Sequence, residues 1–317
     1  MMIDLIVAFV SGVGQTFYNI GYAISHPQLW LDWSDKQAMM RFIYYGGSFE
    51  FFSAVILLFF ILTCIGLWRR SVMWWSVRIL EYISNNIGRV AAWAGLAMVL
   101  QQIIIVFLQR IFRVSVISVG PGAPLGYELI PEWTFLLFSR DLAWWAEELK
   151  LFNAIVVCLC CSYTFIQGGH VRVDLFYAGI ARRKKKIIDI LGSLFFMIPS
   201  MSLIWLYAWF FMWRHLITPK VSASDTLEAL LRKSRIMKWN VETIGFSPSG
   251  FDAYFLFKVL LLLFAGLMFL QAIAFFYRSL LELREGEESD NKFMDKDQLQ
   301  NEIPDAHISI SEGDQVR

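Results

Sequence analysis

The chain has 317 residues, of which 57% are hydrophobic and 17% are charged, and its formal net charge is +1. Soluble domains carry about 25% charged residues and about 45–50% apolar ones, so this composition excludes an ordinary soluble globular protein. The balanced charge also gives no reason to expect a nucleic-acid partner. The sequence predicts an all-α, polytopic integral membrane protein that is embedded in the lipid bilayer.

Six apolar segments are candidates for membrane-spanning helices, which need about 20 mostly apolar residues each. The first segment is the weakest, because it is interrupted by glycines and by Gln15 and Asn19. The apolar segment at 151–167 is short, but the preceding residues, "LAWWAEEL", can lengthen it. We therefore predict six transmembrane helices, at residues 3–23, 51–68, 90–108, 151–167, 191–213 and 254–277.

The distribution of Lys and Arg between the predicted spans indicates the orientation of the chain. The predicted loop 69–89 carries four arginines, and the predicted loop 168–187 contains the block "RRKKK" at 182–186. Cationic loops stay in the cytoplasm, so we place both loops and both termini there. Loop 214–250 is also basic, but it is long and falls on the outer side. Within it, "DTLEALLRKSRIMKW" predicts an amphipathic helix in which Asp225 and Glu228 have capping-box spacing.

The predicted spans are poor in groups that could carry out chemistry. Three of the four cysteines form "CLCC" at 158–161, where we expect them to pack as small apolar side chains. No Walker A motif, HExxH motif or nucleophile elbow is present, and the histidines lie outside the span centres. We expect no enzymatic activity, no cofactor and no bound metal. The span centres hold no Asp, Glu, Lys, Arg or His, and Lys258, near one end, is expected to snorkel. A stand-alone carrier would normally need such residues.

The stretch "GGHVRVDLF" at 168–176 is the most distinctive polar segment. Gly168 and Gly169 are expected to end the preceding helix, because glycine tolerates a turn with φ > 0. The polar side chains of His170, Arg172 and Asp174 then lie at the level of the lipid headgroups. They form either a plain exit from the membrane or a contact with a partner subunit.

A pair of acidic residues opens the predicted helix that leads into this stretch. Glu147 and Glu148 lie in "WWAEELK", on the outer side of the membrane in the orientation above. They mark either the start of an interfacial helix or a contact with a partner protein.

The order of these motifs resembles the small membrane subunit of TRAP (tripartite ATP-independent periplasmic) transporters. "QRIFR" closes one span, "WWAEELKLFNA" opens the next, and "GGHVRVDLF", a basic block and a last span with "LQA" follow. The resemblance implies a core of four transmembrane helices at 88–283. An N-terminal extension, 1–87, then contributes two helices, and an acidic, cytoplasmic and disordered tail covers 284–317. The extension and the segment between "QRIFR" and "WWAEEL" depart from the family pattern.

The same resemblance implies a function in the bacterial inner (cytoplasmic) membrane. The chain would scaffold a large TRAP permease subunit that takes up an organic acid by ion-gradient-coupled symport. A periplasmic solute-binding protein would deliver the acid. Gly168, Gly169, His170, Arg172, Asp174, Glu147 and Glu148 are then candidates for subunit contacts. Two alternatives remain at this stage, an anchor or assembly subunit of another membrane complex and a stand-alone carrier.

Overall fold

The structure is a computed structural model, and it is overwhelmingly helical. It describes residues 14, 17–19, 21–113, 115–119, 138–168, 179–240, 251, 253–290 and 292–295. The helices in this part of the chain are α1 (Lys36–Gly46), α2 (Phe49–Trp68), α3 (Arg70–Val106), α4 (Leu142–Gln167), α5 (Arg182–Leu216), α6 (Leu227–Ser234) and α7 (Phe255–Glu285).

Shorter elements connect these helices. A helical turn, Gln28–Leu31, precedes α1, and a 3-10 turn, Glu287–Ser289, follows α7. A π-helical turn, Phe107–Ile111, extends α3, and another, Ser193–Met197, interrupts the α-helical hydrogen bonding of α5. Two antiparallel ribbons pair β1 (Val116–Val119) with β2 (Phe138–Asp141) and β3 (Ile217–Thr218) with β4 (Lys238–Trp239).

Five of the described helices, α2, α3, α4, α5 and α7, are long and apolar enough to cross a membrane. Each overlaps one of the predicted spans, so the described chain has the all-α architecture and the long apolar helices that we predicted for a helical membrane protein. The remaining predicted span, 3–23, falls mostly outside the described residues, so a total of six stays a prediction.

Our prediction of a loop at residues 69–89 is wrong. The helical conformation is interrupted only at Arg69, and α3 begins at Arg70. Arg69 has an extended backbone (φ −118°, ψ 93°) between two helices. From there, residues at helical spacing, including Met73, Trp74 and Val77, are buried against other helices. Tertiary packing thus makes this segment helical. The boundary that we placed between residues 87 and 88 lies inside α3, so the extension and the core share one helix.

Helix α7 is the centre of the bundle. Half of its most apolar 18-residue window (50%) is buried inside the chain, against 6–11% in the other four long helices. Helix α5 packs along it, with the Trp205 ring close to Gly266 of α7. The other long helices therefore present most of their apolar surface outward, to lipid or to other proteins.

Residues of the N-terminal extension pack tightly on α5. The Trp209 indole nitrogen donates a hydrogen bond to the carbonyl oxygen of Ile43 (2.8 Å), and that of Trp205 donates to the carbonyl of Gly46 (3.1 Å). A Cβ atom at Gly46 would lie 2.1 Å from the Trp209 ring, so glycine permits this close approach. The buried face of α1 also contacts α6, whose Leu230 is fully buried.

The cap of α6 differs from our expectation. Thr226, not Asp225, is the N-cap, and its side chain accepts a hydrogen bond from the backbone N–H of Ala229. Asp225 instead accepts from Lys233 (2.6 Å) and from the backbone N–H of Ser222 (2.9 Å). The carboxylate thus stabilises the loop in front of the helix, and the neighbouring threonine takes the capping position.

The described bundle has two polar ends. We call one the basic end: it contains the α2–α3 turn at Arg69, the last residue of α4, the "RRKKK" block that opens α5, and the C-terminal end of α7. The opposite end contains the first turns of α4 and α7, which are joined by a hydrogen bond between Glu147 and Tyr254.

Candidate functional site: a buried ionic cluster at the basic end

Only the first residue of the signature stretch lies within the described part of the chain. Gly168 ends α4 in the left-handed conformation (φ 75°, ψ 17°), as its position predicted. Gly169, His170, Arg172 and Asp174 lie outside the described residues, so a subunit contact there stays a prediction. Gln167, directly before the stretch, and Arg182, six residues after it, both contact residues that follow α7.

Four ionisable side chains from α3, α5 and α7 meet at the basic end, and we call them the ionic cluster: Glu81, Lys186, Arg278 and Glu282. The Arg278 guanidinium donates two hydrogen bonds to the Glu81 carboxylate, through Nε (2.7 Å) and through one terminal nitrogen (2.6 Å). Both side chains are almost fully buried, at 4% and 5% exposed. Two parallel bonds of this kind form the strongest geometry between arginine and a carboxylate.

The second acid of the cluster completes the charge balance. Lys186 donates to Glu282 (2.5 Å), and Arg278 lies 3.8 Å from the other oxygen of the same carboxylate. The negative charges of the two carboxylates are thus balanced by the positive charges of the lysine and the arginine. The Arg278 guanidinium also lies 5.6 Å from the centroid of the Trp74 ring, within the range of a cation–π contact.

The residues that follow α7 fold back onto the cluster. We call residues 286–295, which are described except for 291, the C-terminal segment. Arg182 holds its first part, donating to Asp290 (2.7 and 2.6 Å) and to the carbonyls of Glu282 (3.0 Å) and Gly286 (2.6 Å). The Glu282 carbonyl lies in the last turn of α7, where helices leave carbonyls without an intrahelical donor.

Asp295 anchors the far part of the C-terminal segment. Its carboxylate accepts from Arg89 (3.0 Å) and its backbone carbonyl from Asn85 (3.0 Å) on α3 and from Gln167 (3.0 Å) at the end of α4. The beginning of the predicted tail thus has defined contacts with α3, α4, α5 and α7. For residues 296–317, outside the described part, disorder stays a prediction.

Asp290 shows how this contact affects protonation. The hydrogen bonds from Arg182 favour the ionised carboxylate and lower the pKa of Asp290 below its ordinary value of 3.8. Partial burial acts in the opposite direction but more weakly.

Glu147 and Glu148 have partners within their own chain, at the opposite end. Glu147 accepts hydrogen bonds from Lys150 (2.7 Å) and from the Tyr254 hydroxyl on α7 (2.8 Å). Glu148 accepts from Gln101 near the end of α3 (3.3 Å). These acids fix the start of α4 against its neighbours, and a contact with another protein stays a prediction.

Lys258 does not snorkel as we expected. It is only 8% exposed, and its ammonium group lies 5.3 Å from the centroid of the Phe211 ring on α5. The side chain thus remains between α5 and α7.

The cysteine cluster lies in the contact between α3 and α4. The Cys160 thiol donates to the carbonyl of Gly88 (3.4 Å). A Cβ atom at Gly88 would lie 2.2 Å from the Cβ of Tyr163, so the backbones approach closely here. Within the described residues, no three His, Cys, Asp or Glu side chains are grouped so as to hold a metal ion.

The ionic cluster was not predicted from the sequence, because the last predicted span ends at Tyr277, one residue before Arg278. The signal was present, since Arg278 and Glu282 are spaced i, i+4 and occupy one face of a helix. Glu81 carried no such signal, because we had placed it in a loop.

Taken together, these contacts show that the described buried charges lie near the two ends of the helical bundle. The described ion pairs form between residues of the same chain. No family model, no curated protein and no solved structure matches the sequence.

Proposed function

We propose that this chain is the non-transporting small subunit of a TRAP-type secondary transporter in the bacterial inner membrane. It braces a large permease subunit that takes up an organic acid from a periplasmic binding protein. The motif order around "GGHVRVDLF" supports the assignment to this class.

The proposed bracing role is supported chiefly by the positions of the charged residues. The apolar stretches 51–68, 90–108, 151–167, 191–213 and 259–277 contain no Asp, Glu, Lys or Arg. The ionic cluster lies beyond them, at the basic end, and its charges pair with one another. A carrier needs polar ligands near the middle of the membrane. The described bundle instead has an apolar middle, and polar contacts join its helices at both ends.

Reconstitution tests this proposal. The purified chain alone in liposomes should give no ion-gradient-driven uptake of organic acids, whereas its complex with a large permease, supplied with binding protein, should transport. Affinity purification from the native host should recover such a permease at a 1:1 ratio. Uptake by the chain alone, or co-purification with a respiratory enzyme instead, would contradict the proposal.

The signature stretch can be tested in the same preparation. If Asp174 makes a charge-assisted contact, Asp174→Ala should weaken the complex, because such bonds contribute about 1.5–3 kcal/mol, or at least tenfold in affinity. Cys158→Ala is the control and should assemble like the wild type. Equal assembly of both variants would show that the stretch is only an exit from the membrane.

A further inference from the structure

The C-terminal segment covers buried polar groups at the basic end. Its Lys292 carbonyl accepts a hydrogen bond from Arg278 (3.0 Å), and its Asp295 carbonyl accepts one from Asn85 (3.0 Å). Both donor side chains are buried. A buried donor that loses its acceptor must find water instead. Displacement of the segment would therefore bring water to Arg278 and to Asn85.

The charged contacts that hold this segment are partly exposed ion pairs. The side chains are 24% and 34% exposed in the pair of Arg182 with Asp290, and 37% and 51% exposed in the pair of Arg89 with Asp295. Exposed pairs are weak and are screened by salt, whereas buried pairs are screened much less. In the pair that joins α3 to α7 inside the ionic cluster, the side chains are only 4% and 5% exposed. Salt therefore weakens the attachment of the segment more than it weakens the pair beneath it.

Phe293 is the aromatic anchor of the segment, and its backbone is strained. Its φ of 57° lies in the left-handed region, which residues other than glycine adopt at a cost in conformational energy. The centroid of its ring lies 5.6 Å from that of Trp74 and 5.3 Å from the guanidinium carbon of Arg78. About half of the Phe293 side chain stays exposed, so the ring gains only part of the stabilisation of a buried phenylalanine. The ion pairs are therefore needed to keep the segment in place.

The segment connects four helices of the bundle. It accepts hydrogen bonds from α3, α4, α5 and α7, through Asn85, Gln167, Arg182 and Arg278. Its displacement would release a contact at each of these helices together. Because the segment follows α7 directly, it stays tethered and can return at a high effective concentration. The movement is therefore reversible.

We propose that the C-terminal segment is a salt-sensitive lid on the basic end. At low ionic strength the two exposed ion pairs hold it closed, and the Glu81–Arg278 pair is shielded from water. At high ionic strength the lid opens, water reaches this pair, and the junction between α3 and α7 loosens. The bundle thus responds to the ionic strength on the side of the membrane that the basic end faces, whether or not the chain is a transporter subunit.

Cysteine labelling of the full chain in nanodiscs of phosphatidylcholine, a lipid without net charge, tests the proposal. Ser289 is buried in the closed segment, so the thiol of Ser289→Cys should react with a charged maleimide only when the lid opens. Raising KCl from about 50 mM to about 500 mM should accelerate this labelling about tenfold, since salt screens both exposed pairs. Ser71→Cys, at an exposed serine of the basic end, is the control and should not show this acceleration. The unsubstituted chain gives the background from the four native cysteines.

Charge variants in the Ser289→Cys chain test whether the ion pairs hold the lid. Asp290→Asn with Asp295→Asn removes both pairs and should label fast at low salt, without a further response to KCl. Asp295→Arg should also label fast at low salt, because the new side chain repels Arg89. Adding Arg89→Asp restores an ion pair of opposite polarity, so this double variant should label slowly again.

Hydrogen exchange of the chain without the new cysteine gives a second measurement, which also serves if Ser289→Cys disturbs the segment. Amides of the C-terminal segment should exchange about tenfold faster at high salt, and those of residues 81–89 on α3 should accelerate by a smaller factor. Labelling and exchange that depend neither on salt nor on Asp290→Asn with Asp295→Asn would overturn the proposal. An opening segment that leaves the exchange of residues 81–89 unchanged would also overturn it, because the segment would then not act on the junction between α3 and α7.

Discussion

Glu81 and Arg278 illustrate what a buried charge requires. An isolated ion loses its hydration on burial, and the cost is several kcal/mol even after relaxation. Here the carboxylate receives two hydrogen bonds, and the guanidinium donates a third to the Lys292 carbonyl (3.0 Å). The pair thus fixes the angle between α3 and α7 and holds the C-terminal segment through the same side chain.

Arg278→Gln should destabilise the fold severely, because it leaves Glu81 buried without its cation. Breaking a buried pair in this way costs about 3–5 kcal/mol, which thermal unfolding of the purified protein in detergent would register. The double variant Glu81→Met with Arg278→Met removes both charges and should recover most of the loss. A mild effect of Arg278→Gln alone would show that water reaches the cluster.

Asp290 gives a pH dependence whose sign follows from its lowered pKa. The folded state favours the ionised carboxylate, so the stabilisation is fully present above the unfolded-state pKa of about 3.9. It is lost as the pH falls through the lower, folded-state value. Hydrogen exchange of the C-terminal segment, corrected for its intrinsic pH dependence, should therefore accelerate in acid. Asp290→Asn should exchange faster already at neutral pH and lose this acid response. An acid response unchanged in Asp290→Asn would assign it to another group.

The contact between α3 and α4 depends on two glycines with different surroundings. At Gly88 a Cβ atom would lie 2.2 Å from the Tyr163 Cβ, whereas at Gly95 it would lie 3.6 Å from Val156. The first distance cannot be relieved by rotating a side chain, because the Tyr163 Cβ moves only with its backbone. The second is an ordinary van der Waals contact.

Gly88→Ala should therefore separate the two helices and destabilise the protein by about 1–3 kcal/mol, as overpacking does elsewhere. Gly95→Ala should be neutral or stabilising, since alanine is favoured over glycine in helices by about 1 kcal/mol. Thermal unfolding of the two variants side by side measures the difference. If both alanines have the same effect, the close approach at Gly88 does not control the packing of α3 on α4.

The long apolar helices were predictable because hydropathy depends only on local composition. The helical character of residues 70–89 was not, because their polar positions, such as Glu81 and Asn85, are compatible with burial only once partners from α7 and the C-terminal segment are present. The "RRKKK" block shows the same limitation. Its charge predicted a topological role, but the structure also gives Arg182 and Lys186 contacts that fix α5 to α7.

The arrangement of the whole chain follows from the way in which its polar segments are shared between two ends. The basic block, the end of α4 and the C-terminal segment contact one another at the basic end. Helix α6 and the β3–β4 ribbon instead pack near the C-terminal end of α5, where Trp213 and Leu230 share one core. Helix α6 and the β3–β4 ribbon must therefore lie on the other side of any membrane that the bundle crosses from the basic block.

Which end faces the cytoplasm is tested by reporters fused within the full chain. The basic end carries Arg69, Arg70 and the five cations of the "RRKKK" block, and cations that adjoin a span are retained in the cytoplasm. A reporter that is active only in the periplasm should be silent after Lys185 and active after Ser224, which lies in an exposed part of loop 214–250. A reporter that is active only in the cytoplasm should give the opposite pattern at the same positions. Activity of one reporter at both positions would contradict the two-ended bundle, and exchange of the two patterns would reverse the orientation and place the C-terminal segment outside.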